Sequence, residues 1–300
     1  MDKKFVENTD KRIGLALGGG GARGLAHIGV LKVFEREKIP IHLMTGTSMG
    51  GVIGALLAAG IPVKDMEAEA CNLGGRRKQL KLVDIELSKS GLLKGERIYQ
   101  LLASYLGEEL TFADLRIPLA VIAVDYHTGR EVVLKEGRIV DAIRATISVP
   151  GAFVPVKRGD LLLVDGGVLN NVPVDVAYDL GARAVIGVDV LPNFPQDKSS
   201  EPLEALPVKI PAISQSITEI MHIQMIMISE MTELRLKCRP PNVLIRPDLP
   251  PKIGLFVGFR YAEEAIALGE AAAEQALPQI LELVRNPSSS SSASLDSFTR

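Results

Sequence analysis

Three hundred residues, 47% of them hydrophobic and 23% charged, with a mean hydropathy of +0.20, can bury a large core and exclude a disordered chain. Thirty-four basic and 36 acidic side chains leave a formal net charge of −2, so no excess of positive charge advertises a nucleic-acid partner. Two cysteines, Cys71 and Cys238, fit neither a disulfide framework nor a metal cluster and point to a reducing compartment.

In chain order, residues 1–12 form a polar segment without the apolar run of a signal peptide, so a cytoplasmic location is expected. From residue 13 short β-rich runs alternate with helical patterns, the signature of βα units around a mainly parallel sheet. IGLAL (13–17) reads as a strand, followed by a glycine-rich turn and a helix to about Glu37. IHLMT (41–45) reads as the next strand, then GTSMG and the helix VIGALLAAG. The uncharged block from Ile39 to Val63 is long enough to span a bilayer, but Pro40, Pro62 and five glycines interrupt it, so it reads as strand, turn and helix in a core.

Further strands are expected at PLAVIAV (118–124), EVVLK (131–135), LLLVD (161–165), AVIGVDV (184–190) and NVLIR (242–246). YHTGR between the first two reads as a hairpin turn, which makes the sheet mixed. Residues 191–211 carry five prolines and read as a long loop. A helix is expected from about 212 to 237 and another from 261 to 284, before the low-complexity tail 286–300, expected to be disordered. The expected organisation is a core at 13–190, completed after the loop by helices and a strand at 212–285.

Three motifs carry chemistry. In GGGGARG, residues 18–24, Gly19, Gly21 and Gly24 satisfy G-x-G-x-x-G, whose backbone amides can approach an anion at a helix N-terminus. A dinucleotide site would place an acidic residue at the end of the second strand, and that strand instead runs into Thr45, Gly46, Thr47 and Ser48. Gly46-Thr47-Ser48-Met49-Gly50 is a G-x-S-x-G between strand and helix, where a serine hydroxyl is exposed on a sharp turn. A packing turn with an N-cap serine is the competing reading. Asp165-Gly166-Gly167 closes an apolar strand, so Asp165 points into the crevice at the sheet's carboxyl end, or simply caps the turn. Of the four histidines only His222 follows the plausible acids in the order of a Ser-His-Asp hydrolase, and it sits in an apolar helical stretch.

Taken in order, GGGGARG, GTSMG and DGG, with IRATISVPGAFVPV (143–156) and PLAVIAVDYHTGREVVL, resemble the patatin-like phospholipase family over roughly residues 11–190. The likeness is to small bacterial-type members and to the catalytic domain of neuropathy target esterase. The resemblance implies a three-layer α/β/α fold with a central mainly parallel, mixed sheet. It also implies a serine acyl hydrolase cleaving carboxylic esters of lipids, with Ser48 as nucleophile and Asp165 as general base. Amides of Gly20 and Gly21, with Gly19, would form the oxyanion hole, and Arg23, Gly24, Gly46, Gly50, Gly166 and Gly167 complete the motifs. No cofactor or metal is needed. Arg23 could hold a phosphate or brace the loop, with bracing the preferred reading, and Asn170, Asn171 and Pro173 are expected to order the turn after Asp165. A noncatalytic lipid-binding or regulatory protein on the same fold and a Ser-His-Asp esterase using His222 are the alternatives.

Residues 213–234 hold Met221, Met225, Met227 and Met231 among isoleucines, with His222 and Gln224 as polar breaks. Adaptable filler in a buried helix is the first reading. An apolar surface at 212–234 that receives an acyl chain or touches a membrane peripherally is the second.

Overall fold

The computed structural model describes residues 12–73, 93–192, 214–254 and 258–286. The N-terminal polar segment up to residue 11, the body of the proline-rich loop and the serine-rich tail from 287 lie outside the described residues. Eight strands form one sheet: β1 Ile13–Leu17, β2 Leu43–Thr47, β3 Leu119–Asp125, β4 Arg130–Leu134, β5 Val156–Arg158, β6 Leu161–Asp165, β7 Ala184–Val188 and β8 Val243–Ile245. β3, β2, β1, β7 and β8 pair in parallel in that order, while β4 and β6 run antiparallel to β3 and β5 antiparallel to β6. The expected mixed, mainly parallel sheet is therefore present. β5 is an addition to the expected strands: its three residues carry two charges and no apolar pattern that would announce it.

Around the sheet lie helices α1 Ala26–Arg36, α2 Met49–Ala59, α3 Val63–Leu73, α4 Glu96–Leu106, α5 Ile139–Thr146, α6 Val174–Asp179, α7 Ser214–Cys238 and α8 Ala262–Arg285. The two-residue period of the strands sorts the layers. Ile13, Leu15 and Leu17 of β1, with Ala184, Ile186 and Val188 of β7, join one core that α1, α2, α3, α5 and α8 cover. Ala16 and Val185, one residue out of phase, join a second core with Val174 and Ala177 of α6 and Leu236 of α7. β1 thus turns Ile13, Leu15 and Leu17 to the thick helical layer and Ala16 to the thin one, and helices on both faces of the sheet make the three-layer α/β/α arrangement.

α1 and α8 touch backbone to backbone. A Cβ on Gly29 would lie 1.9 Å from the Ile266 carbonyl oxygen, and one on Gly269 would lie 2.0 Å from that of Ala26. Gly29→Ala is therefore expected to lower stability by about 2 kcal/mol, an overpacking cost that exceeds the alanine's gain in helix propensity. The midpoint of urea unfolding measures it.

Candidate active site

The register of β3 brings the two chemical motifs together. Ile122 pairs with Thr47 of β2 and with Val133 of β4, and Ala123 pairs with Val132 of β4 and with Asp165 of β6. A strand has two edges, so β4 takes one, and β2 and β6 succeed each other along the other. Running in opposite senses, β2 and β6 end against consecutive residues of β3, which sets Ser48 and Asp165 at the meeting of their carboxyl ends.

Ser48 turns the chain from β2 into α2 with φ 51° and ψ −123°, a left-handed backbone in a non-glycine residue. Such strain costs about 1–3 kcal/mol and survives only where the surroundings enforce it. Here they do. A Cβ on Gly50 would lie 2.1 Å from the Leu17 carbonyl oxygen of β1, and one on Gly46 would lie 2.7 Å from Gly50 itself, so the elbow closes only with glycine at both places. The Ser48 amide donates to Thr146 Oγ1 at 2.9 Å, and that hydroxyl donates to the Ile122 carbonyl. Thr47 Oγ1 donates to the carbonyl of Asn170 at 2.8 Å.

Asp165 is buried. Its amide donates to the Ser148 carbonyl at 3.0 Å, and its Oδ1 accepts from the Gly167 amide at 2.8 Å. Oδ2 has no hydrogen-bond partner among the described residues. Burial lifts the carboxyl from its ordinary 3.8 to about 6, against the opposing pull of the nearby Ser48 hydroxyl and the Gly167 amide. Gly166 lets the turn lie on β3, where a Cβ would come within 2.3 Å of the Ile122 carbonyl oxygen. The segment from the end of α5 thus holds both motifs at once, Thr146 gripping the Ser48 amide and Ser148 the Asp165 amide. Ser148 is itself fixed by Arg144, whose Nη1 donates to its Oγ at 2.7 Å.

The glycine loop flanks the pair. Gly19 donates its amide to the Asn171 carbonyl at 3.2 Å, and Asn171 Nδ2 donates back to the Gly19 carbonyl at 3.1 Å. Gly19 therefore has no amide to offer an oxyanion. Gly20 and Gly21 line the cleft beside Ser48 and Asp165, and their amides engage no acceptor among the described residues. Arg23 is buried and braces the loop: Nε donates to the Val190 carbonyl at 2.7 Å, Nη1 to that of Ile253 at 3.2 Å and Nη2 to that of Leu249 at 3.2 Å. Gly24 packs under Met49. His27, fully buried, has its Nε2 2.7 Å from the Gly18 carbonyl, and burial lowers its pKa to about 4, which keeps the ring neutral.

Two hollows meet at Ser48. A small cleft of about 60 Å³ lies between the Asp165 turn and α7, roofed by Gln224, Met225 and Ile228. An apolar cavity of about 400 Å³ opens on the other side, and Gly21, Ser48 and Val149 line both. No histidine lines either hollow among the described residues. His222 lies on α7 beside Gln224 but outside both linings, His42 Nδ1 accepts from the Ile13 amide and His127 sits in the β3–β4 turn. No cluster able to hold a metal ion occurs among the described residues.

The patatin-like phospholipase family model matches residues 15–178, a span that includes both strand ends and all three motifs. The chain belongs to the patatin-like phospholipase family. It is 38% identical over 186 residues to the patatin-like phospholipase domain-containing protein ZK370.4 of Caenorhabditis elegans, a match covering 61% of this chain and 14% of the worm protein. It is 30% identical over 291 residues to NTE family protein MT2641 of Mycobacterium tuberculosis, covering 92% of this chain and 48% of that protein. Neuropathy target esterase sws of Drosophila melanogaster is 33% identical over 187 residues, covering 61% and 13%. The chain thus spans about half, or much less, of the length of these relatives.

Within this patatin-like core, sequence reasoning missed His27, Thr146, Ser148 and the double role of Asn171. Each acts through a hydrogen bond to residues far along the chain or buried behind the loop, and none stands in a recognisable spacing. Because Asp165 has a folded pKa near 6, its ionised form costs stability above that pH and the cost disappears as pH falls toward 4. Asp165→Asn is expected to raise stability at pH 8 by up to about 3 kcal/mol, with the gain fading between pH 6 and 4. Urea unfolding of both proteins across that range reads the difference.

Proposed function

We propose that this chain is a serine acyl hydrolase that cleaves carboxylic esters of lipids through Ser48 and Asp165. The observation that carries this reading is a strained, buried serine beside a carboxylate with one unpartnered oxygen, on the side of the glycine loop where two amides are unengaged. As Ser48 Oγ attacks the ester carbonyl carbon, Asp165 Oδ2 takes its proton. The amides of Gly20 and Gly21 donate to the oxygen that becomes negative, aided by the positive end of α2. Collapse breaks the bond to the alcohol, which leaves with the proton from Asp165. Water, deprotonated by the same carboxylate, then attacks the acyl carbon, and the bond to Ser48 Oγ breaks as Asp165 returns the proton to that oxygen, which frees the fatty acid and restores the serine.

A carboxyl with a pKa near 6 is half ionised at about pH 6 and mostly ionised at pH 7, where it can accept a proton and still return it. Activity is expected to rise as pH passes through about 6 and to level off above it. The decisive experiment is labelling by a small fluorophosphonate probe. The wild-type protein should label, Ser48→Ala should not, and Asp165→Asn should label at least about 100-fold more slowly. Labelling that survives Ser48→Ala, or no labelling of the wild type, sinks the reading.

The substrate lipid is reached, in this reading, through α7. The helix is split lengthwise: Met221 and Met225 are buried against the core, while Ile220, Ile223, Met227 and Leu234 are exposed. Its C-terminal half is anchored by Arg235 to Glu131 and Asp175, and by Glu233 to Arg246. No described helix is long and apolar enough to cross a membrane, so the exposed row supports contact at a lipid surface rather than insertion across it. Ile223→Glu with Met227→Glu is expected to cut co-sedimentation with phosphatidylcholine vesicles several-fold while a water-soluble short-chain ester is still turned over. Equal loss of both activities would show that the helix serves only the fold.

A further inference from the structure

The 400 Å³ cavity beside Ser48 has a direction. α2 starts at the Ser48 elbow and runs away from it, and its residues Met49, Val52, Ile53 and Leu56 form one cavity-facing stripe at helical spacing. From Ser48 to Leu56 the helix advances about 12 Å. An extended chain covers about 1.3 Å per bond, since three bonds span 3.8 Å between successive Cα atoms, so roughly ten carbons from the ester carbonyl reach Leu56.

The far end has a different character. Among the described residues, the charged side chains lining the cavity are Asp65 and Glu69, one turn apart on α3. The Asp65 amide donates to the Pro62 carbonyl at 3.0 Å, which places Asp65 at the bend where α2 gives way to α3, the end remote from Ser48. A hydrocarbon tail pushed against these carboxylates would strip water from them without replacing its hydrogen bonds, which opposes further entry. The other hollow at Ser48 is too small for such a tail, at about 60 Å³, and carries Gln224 and Asn171. The two halves of an ester are therefore sorted by room: the acyl chain fits along α2, and the alcohol is left to the smaller cleft under α7.

We propose that the α2 stripe is an acyl ruler. The cavity takes one saturated chain of about 8 to 12 carbons, and Leu56 is the residue that sets the length. This rests on Ser48 being the nucleophile, so the test has one arm that uses catalysis and one that does not.

In the first arm, kcat/KM is measured for p-nitrophenyl esters with short, medium and long saturated chains, from butyrate through octanoate and dodecanoate to palmitate, which share one leaving group. The wild type should peak between octanoate and dodecanoate. Leu56→Trp should raise the ratio of the butyrate to the dodecanoate value at least about tenfold, the scale on which pocket size discriminates. Leu56→Ala should shift the peak toward palmitate. An unchanged far-UV circular dichroism spectrum of both variants shows that they fold. An unchanged chain-length profile in both variants, or an equal loss at every length, overturns the ruler.

In the second arm, decanoic acid displaces a fluorescent fatty acid from the unreactive Ser48→Ala protein, and Leu56→Trp in that background should weaken displacement by about tenfold. If the wild type hydrolyses no ester but this arm succeeds, the catalytic reading fails and the chain site stands. If decanoic acid does not bind, the cavity is not an acyl site.

Discussion

Two consecutive residues of β3 hold the chemistry together. Ile122 and Ala123 each have one backbone edge to share on the inner side, and Thr47 and Asp165 take them in turn. Because two strands cannot occupy the same stretch of one edge, both must stop where they meet, and the Ile122 carbonyl at the junction is taken by the Thr146 hydroxyl. The serine elbow at the end of β2 and the Asp-Gly-Gly turn at the end of β6 are thereby delivered to the same point. The pairing of serine and carboxylate is a consequence of strand register before it is a consequence of any side-chain contact.

That juxtaposition is costly in itself, and the neighbouring polar groups offset the cost. A left-handed serine and a buried carboxylate with one oxygen unpartnered are both unfavourable in a fold. Thr146, Ser148, Asn170 and Asn171 hold the backbone around them by hydrogen bonds, and Arg23 ties the glycine loop to the end of β7 and to the 249–253 segment. Among the described residues the amides of Gly20 and Gly21 engage no acceptor. The Gly20 and Gly21 amides and Asp165 Oδ2 thus leave hydrogen-bonding capacity unused at one cleft, and Asn170 Oδ1 and His27 Nδ1 nearby are also unpartnered among the described residues.

The apolar surplus of the sequence has three destinations. Most of it fills the two cores on either face of the sheet. A second share lines the cavity beside α2, where the uncharged block that hydropathy alone would mistake for a membrane span proves to be β2, the elbow and a helix with one face on empty space. The third share is the outer row of α7. The methionines of that helix divide between the inside and the outside, so neither a wholly buried helix nor a wholly exposed one describes it. The same helix roofs the cleft, which links the surface that faces solvent to the turn that carries Asp165.

The mixed sheet and all its strands but β5, the two long C-terminal helices and the three motifs were legible in the chain, since each depends on local periodicity or on a short run of residues whose backbone geometry is nearly unique. Helices α3 to α6 were not recognised: α3 and α4 are as long as α1 and α2, but no glycine motif marks their start. His27 and Ser148 were silent because an isolated polar residue shows its purpose only when its partner is known. The sequence by itself determined which residues stand at the three strand-to-turn junctions, a glycine loop, Ser48 and Asp165, because each lies in a short local run; their casting as amide donors, nucleophile and base came only with the family resemblance. Only the tertiary structure decided that Gly19 spends its amide on Asn171, that two hollows and not one open at Ser48, and that the larger runs along α2. Those are matters of hydrogen-bond partners and packing between segments distant in the chain, which no local pattern encodes.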